Sequence, residues 1–132
     1  MELDRIDDTT GEHPSEYPSR FQGEARIQPL ASPFVEDGPA VFAVHFQPGG
    51  RTRPHVHRSG QWLHVVSGRG IVGTESGRRE VEAGDVVAVM PGEWHWHGAT
   101  PGSAMTHVTV QRTPTDPIDW SVEEKDWADG YE

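Results

Sequence analysis

Two histidines separated by one residue sit inside a frame of glycines, Gly49-x5-His55-x-His57-x3-Gln61-x6-Gly68, and no other feature of this chain narrows its fold so far. On a strand, side chains two apart share a face, so His55 and His57 project into one interior. A second segment, Gly84-Asp85-Val86-Val87-Ala88-Val89-Met90-Pro91-Gly92-Glu93-Trp94-His95, adds a third imidazole after a Pro-Gly turn. With Gln61, these make four neutral candidate ligands for one divalent metal ion: His55, His57, Gln61 and His95. An H-x-H pair alone is as readily an exposed or hydrogen-bonded pair. Gln61 and His95, each beside strand and turn signals, weight the reading toward a metal. Imidazole suits several transition metals, so the pattern predicts an ion without choosing it.

Turn residues recur about every ten positions through the middle of the chain, which suits many short strands better than helices. Strands are expected at Ala25 to Leu30, Val41 to Phe46, Trp62 to Val66, Ile71 to Thr74, Arg78 to Val81, Asp85 to Val89, His95 to Gly98 and Ala104 to Gln111. Pro29 confines the first to an edge, and Ser76-Gly77 turns a hairpin. The strand after the first motif, Trp62 to Val66, is expected to stop at Gly68-Arg69-Gly70. The set predicts an all-β jelly roll or similar closed sandwich. Residues 1–20 read as an acidic tail, 21–112 as one barrel and 113–132 as an extension. In that extension Ser121-Val122-Glu123-Glu124 has a capping-box pattern, predicting a short helix over Val122 to Ala128.

A net charge of −10, concentrated in the two ends, argues against nucleic acid or an anionic membrane as partner. Solvated tails explain that acidity better than an interaction surface does. The chain has no cysteine, which excludes disulfides, thiolate ligands and cysteine nucleophiles. No apolar run approaches membrane-spanning length and the first residues lack an apolar core, so a cytoplasmic location is expected.

Strand parity extends the site. His97 shares the face of His95, and His107, Thr109 and Gln111 share one face of the last strand. If both faces point inward, free imidazoles, a hydroxyl and an amide stand beside the metal, as proton-transfer chemistry requires. The plainer alternatives are that His97 orients a ligand and that His107 is a hydrogen-bonded core histidine. Phe42 and Val44 face the same cavity and would narrow it. The parity that turns Gln61 and His95 inward turns Trp62, Trp94 and Trp96 outward, where they either form a homodimer contact or are covered by the chain itself.

The two motifs resemble those of the cupin superfamily, G-x5-H-x-H-x3-E-x6-G and G-x5-P-x-G-x2-H-x3-N. Gln61 replaces the glutamate, Met90 stands at the proline position with Pro91 beside it, and Ala99 replaces the asparagine. The resemblance implies a jelly-roll barrel of double-stranded β-helix type. From about Arg26 to Trp120 the chain resembles the small bacterial cupins of the manganese-dependent hydroxynitrile lyase group. The similarity lies in Arg51-Thr52, Gly60-Gln61, Gly84-Asp85-Val86-Val87, Pro91-Gly92-Glu93, His95-Trp96-His97-Gly98-Ala99, Ala104-Met105-Thr106-His107, Gln111 and Asp119-Trp120. That group also carries glutamine at the position of Gln61. The likeness implies Mn at His55, His57, Gln61 and His95, with Fe, Zn, Ni, Co and Cu left open. It places Thr52, His97, His107 and Gln111 around a small-molecule substrate.

The implied reaction cleaves or forms a cyanohydrin such as mandelonitrile, with His107 or His97 taking the hydroxyl proton. A neutral Gln61 leaves the full charge on a divalent ion, which suits polarising an oxygen more than redox cycling. Two other classes stay open on sequence: a metal-dependent dioxygenase, and a non-catalytic module binding a metal or small ligand.

Overall fold

The computed structural model describes residues 1–14, 19–30, 38–112 and 118–122, so the helix expected over Val122 to Ala128 lies outside the described residues except for its first member. Eleven strands form among them: β1 (Phe21–Gln22), β2 (Ala25–Pro29), β3 (Pro39–Phe46), β4 (Arg51–Thr52), β5 (Val56–His57), β6 (Gln61–Thr74), β7 (Gly77–Glu82), β8 (Val86–Val89), β9 (His95–Ala99), β10 (Met105–Arg112) and β11 (Ile118–Asp119). One sheet runs β1-β4-β9-β6-β10-β3-β2 with β7 and β8 also on β6, and β11 pairs β5 apart from it. Every pairing is antiparallel, and the architecture is the all-β, nearly closed jelly-roll barrel that the turn spacing predicts. Among the described residues no helix is long and apolar enough to cross a membrane.

The main departure from the sequence reading is β6. Instead of stopping at Gly68, it runs on to Thr74, 14 residues in all; Gln61 to His64 pair with β8 and Arg69 to Thr74 with β7. Two local features let one strand serve both halves of the barrel. Gly68 takes a φ of 77°, a conformation that costs a side chain strain. Opposite it, Thr106 pairs with Ser67 and His107 with Val65, so Val66 is an extra residue and the ladder bulges. A bulge bends its strand and re-aims the side chains beside it. The two-residue strands β1, β4, β5 and β11 were not expected, because so short a ladder carries no periodicity.

Alternation on β6 buries Gln61, Leu63 and Val65 and leaves Trp62 42 % exposed. The barrel core packs Phe21, Ala25, Val44, Phe46, Val65, Ala99 and Met105 together. Trp96 is covered by its own chain: it packs on Ile71 with Trp94 beside it. Outside the core, the N-terminal segment is tied down. Glu12 bridges Ile27, and the Gln28 amide donates to the Arg5 carbonyl at 2.8 Å. Beneath it, buried His45 lies between Thr106 Oγ1 at 2.8 Å and Gln28 Oε1 at 2.9 Å.

A Cβ at Gly68 would overlap the Ala104 carbonyl oxygen as well as forcing a strained backbone. Gly68→Ala should therefore destabilise the fold by about 2 kcal/mol or more. Gly102→Ala, where nothing lies within 4 Å, should leave the thermal midpoint unchanged. Equal midpoints for the two variants, read by circular dichroism, would contradict the role given to Gly68.

Candidate metal centre

The site begins with a backbone clasp. The N–H of His55 donates to the His95 carbonyl at 2.9 Å, and the N–H of His95 donates back at 3.2 Å. This bridge joins the first motif to the second and brings the two rings to 4.2 Å between centroids. His57, closing β5, has its ring 5.1 Å from that of His55 and 5.4 Å from that of His95. Gln61, opening β6, brings its Oε1 to 3.2 Å from His95 Nε2.

Main-chain oxygens settle the protons of two rings. His55 Nδ1 lies 2.8 Å from the Arg53 carbonyl and His95 Nδ1 lies 3.0 Å from the Glu93 carbonyl. A carbonyl only accepts, so each Nδ1 carries the hydrogen and each Nε2 keeps a lone pair. The Gln61 amide nitrogen donates to Gln111 Oε1 at 3.3 Å, which turns its oxygen toward His95. Gln61 Oε1 and His95 Nε2 are then two acceptors facing each other with no hydrogen between them. A cation resolves that arrangement, and neutral nitrogen and oxygen donors suit a divalent transition metal. The residues present fit the ion.

A second imidazole pair stands beside this set. One ring nitrogen each from His55, His95 and His97 lie within 4.8 Å of one another, so His97 shares the metal-competent cluster. Its Nδ1 is 3.0 Å from His107 Nε2, and His107 Nδ1 is 3.1 Å from Thr109 Oγ1. His97 Nε2 is buried and has no hydrogen-bond partner among the described residues. The Thr52 hydroxyl oxygen accepts the His97 backbone N–H at 3.1 Å, which fixes the start of that ring.

These groups open on a cavity of about 190 Å³. Thr52, His55, His57, Gln61, His97 and Gln111 line it, together with Phe42, Val44 and Thr109. His95 and His107 are not on its wall; His107 stands behind His97. The volume falls below the roughly 300 Å³ at which drug-sized pockets begin, so its occupant is small. Two further walls carried no signal in the sequence spacing. Trp120 stacks on His55 at 4.3 Å and 24°, brought there because β11 pairs with β5 more than fifty residues away. Phe21 comes from β1. Thr109 was visible as a neighbour of His107 on one strand face, but its bond to that ring was not.

Burial governs the protonation of the cluster. Desolvation holds His55 and His97 well below the ordinary imidazole range and lowers His95, and neighbouring rings add to the effect on His55 and His97. His107 is pushed down to about 3, again mainly by burial. At neutral pH all four are uncharged and ligand- or base-competent.

Comparison with known proteins agrees with the geometry. A model described as the cupin domain matches residues 42–110. A protein of Granulicella tundricola named (R)-mandelonitrile lyase is 42 % identical over 126 residues, covering 91 % of this chain and 92 % of its own. A cupin-like protein of Thermotoga maritima superposes with a TM-score of 0.80 at 28 % identity, covering 98 % of this chain and 95 % of its own. A polyketide cyclase of Streptomyces resistomycificus shares the fold, with a TM-score of 0.74 at 20 % identity over 95 % of this chain and 89 % of its own.

The lowered histidines set the pH dependence of the metal-free protein. Unfolded, each binds a proton below about pH 6.5; folded, each stays neutral to lower pH, His55, His97 and His107 to much lower pH. Stability is therefore complete above about pH 6.5 and is lost as pH falls toward the folded values. At pH 5 each fully buried histidine costs up to about 2 kcal/mol. The urea midpoint of metal-free protein should drop clearly between pH 7.5 and 5, and a flat profile would contradict the burial argument.

Proposed function

The chain belongs to the cupin family, and within it we propose that this protein is a divalent-metal-dependent lyase that cleaves or forms a cyanohydrin of the mandelonitrile kind. The observation that carries the reading is that one small cavity is lined both by the neutral donors His55, His57 and Gln61 and by an imidazole, His97, whose Nε2 has no hydrogen-bond partner among the described residues. A structural metal site is normally closed and has no use for a free imidazole beside it. The related lyase supports the same assignment.

His55, His57, Gln61 and His95 would hold the ion, with manganese the favoured metal. When bound, the ion would supply Lewis acidity and lower the pKa of the cyanohydrin hydroxyl. Thr52 uses its oxygen to accept from the His97 backbone, and its own proton is turned to the substrate oxygen. His97 takes the hydroxyl proton at Nε2 as the bond to the nitrile carbon breaks. The electron pair of that bond leaves with cyanide and the carbinol carbon becomes the aldehyde. His97 then returns the proton to cyanide, so aldehyde and hydrogen cyanide depart and the imidazole is restored. Gln111, its Oε1 engaged by Gln61, offers its amide hydrogens to the nitrile nitrogen. Phe42 and Val44 bound the space for the organic group and favour small or flat substituents.

Manganese-loaded protein should release benzaldehyde from racemic mandelonitrile, and chelated protein and His95→Ala should not, with His95→Ala also failing to retain metal. Release equal to the chelated control would remove the reading, and oxygen uptake in its place would favour an oxidative cupin. Gln61→Glu adds a negative charge to the donor set while preserving a ligand oxygen. It should retain metal and lower kcat about 10-fold, by weakening the polarisation of the hydroxyl. Unchanged turnover in that variant would show that ligand neutrality has no part in the reaction.

A further inference from the structure

Two groups on the cavity wall have no part in the proposed reaction. The first is Arg20. Apart from histidines it is the one ionisable side chain lining the cavity among the described residues, and no carboxylate lines it there. In a chain of net charge −10, an anion entering this cavity meets a positive wall that the rest of the molecule does not offer it. The second is the indole of Trp120, which also lines the cavity. Its Nε1 is buried with no hydrogen-bond partner among the described residues. A buried N–H without an acceptor is costly, and an oxygen on a ligand would satisfy it.

The fold holds both groups in place. The Arg20 carbonyl accepts the Arg53 N–H at 2.9 Å, just before β1 pairs with β4, and Arg53 is the residue whose own carbonyl orients His55. Trp120 directly follows β11, which is fastened to β5. Arg20 Cζ lies 5.3 Å from the centre of the Trp120 ring, a cation–π contact that needs no N–H donor. His55 takes one face of that indole at 4.3 Å. The guanidinium therefore has the other face or the rim, set back from the metal donors by the breadth of an aromatic ring. A ligand that reaches both needs a spacer of that size, and Phe21, Phe42 and Val44 give the spacer an apolar wall.

We propose that Arg20 and Trp120 form a carboxylate subsite, and that the preferred substrate is an aryl cyanohydrin with a carboxylate on its ring. Two carboxylate oxygens suit these donors: the guanidinium fork takes a charged acceptor, and the indole N–H takes one more hydrogen bond. The cyanohydrin hydroxyl lies at the other end of the ring, beside His97, and the aldehyde released with hydrogen cyanide keeps the carboxylate. Mandelonitrile itself, with a bare ring, gives the indole no acceptor. The substrate assignment rests on the lyase reading; the subsite does not.

Calorimetric titration of zinc-loaded protein with para-(hydroxymethyl)benzoate and with its neutral isostere para-(hydroxymethyl)benzamide tests the subsite without turnover. The acid should bind about 10-fold tighter than the amide at low salt. Arg20→Gln should remove that difference and Arg20→Lys should keep part of it. In nitrogen–proton spectra of the same protein, the indole N–H signal that Trp120→Phe deletes should move downfield when the acid is added. Equal affinities for acid and amide, a preference unchanged in Arg20→Gln, or an unmoved Trp120 signal would each overturn the subsite. With manganese, para-carboxymandelonitrile should show a kcat/KM about 10-fold above that of mandelonitrile. Mandelonitrile cleaved equally well would overturn the substrate assignment. If neither cyanohydrin is cleaved while the binding preference holds, the lyase reading fails and the subsite stands.

Discussion

The reciprocal backbone pairing of His55 with His95 is the interaction on which the site depends. It fastens two motifs about forty residues apart, and the carbonyls of Arg53 and Glu93 behind the rings then assign each hydrogen to Nδ1. Those two main-chain oxygens convert a cluster of histidines into a set of converging lone pairs. A core histidine cluster would satisfy its nitrogens against one another. Here Gln61 brings a further acceptor to His95 instead, an arrangement that a cation would satisfy and a hydrogen bond would not. The barrel supplies the rigidity that makes such an arrangement affordable, since β6, β9 and β10 lie side by side and each contributes to the wall.

Burial and neutrality work together. The site has no carboxylate among its proposed ligands, and desolvation keeps the imidazoles uncharged at neutral pH. An ion held by neutral donors in a cavity of about 190 Å³ keeps its field for whatever small molecule enters. The same low dielectric makes a buried proton costly.

Much of this was legible in the sequence because spacing alone carries it. The H-x-H and the parity of β6, β9 and β10 are period-two facts, and Gly and Pro mark the turns between strands. The continuity of β6 through Gly68 was not legible, since a glycine that ends a strand and one that bends it look alike. Trp120 against His55 was hidden for a different reason: the pairing of β11 with β5 is long-range and only two residues long. Parity also put His97 and His107 on one footing. Only three-dimensional packing separates the ring on the cavity wall from the ring behind it.

In the proposed lyase, metal holding and proton handling belong to different residues of one cavity. Metal content and mandelonitrile turnover measured side by side in His97→Ala test it most directly. The variant should hold one ion per chain, like the wild type, with turnover lower by on the order of 10²-fold. Loss of the ion, or turnover equal to wild type with the ion retained, would contradict it.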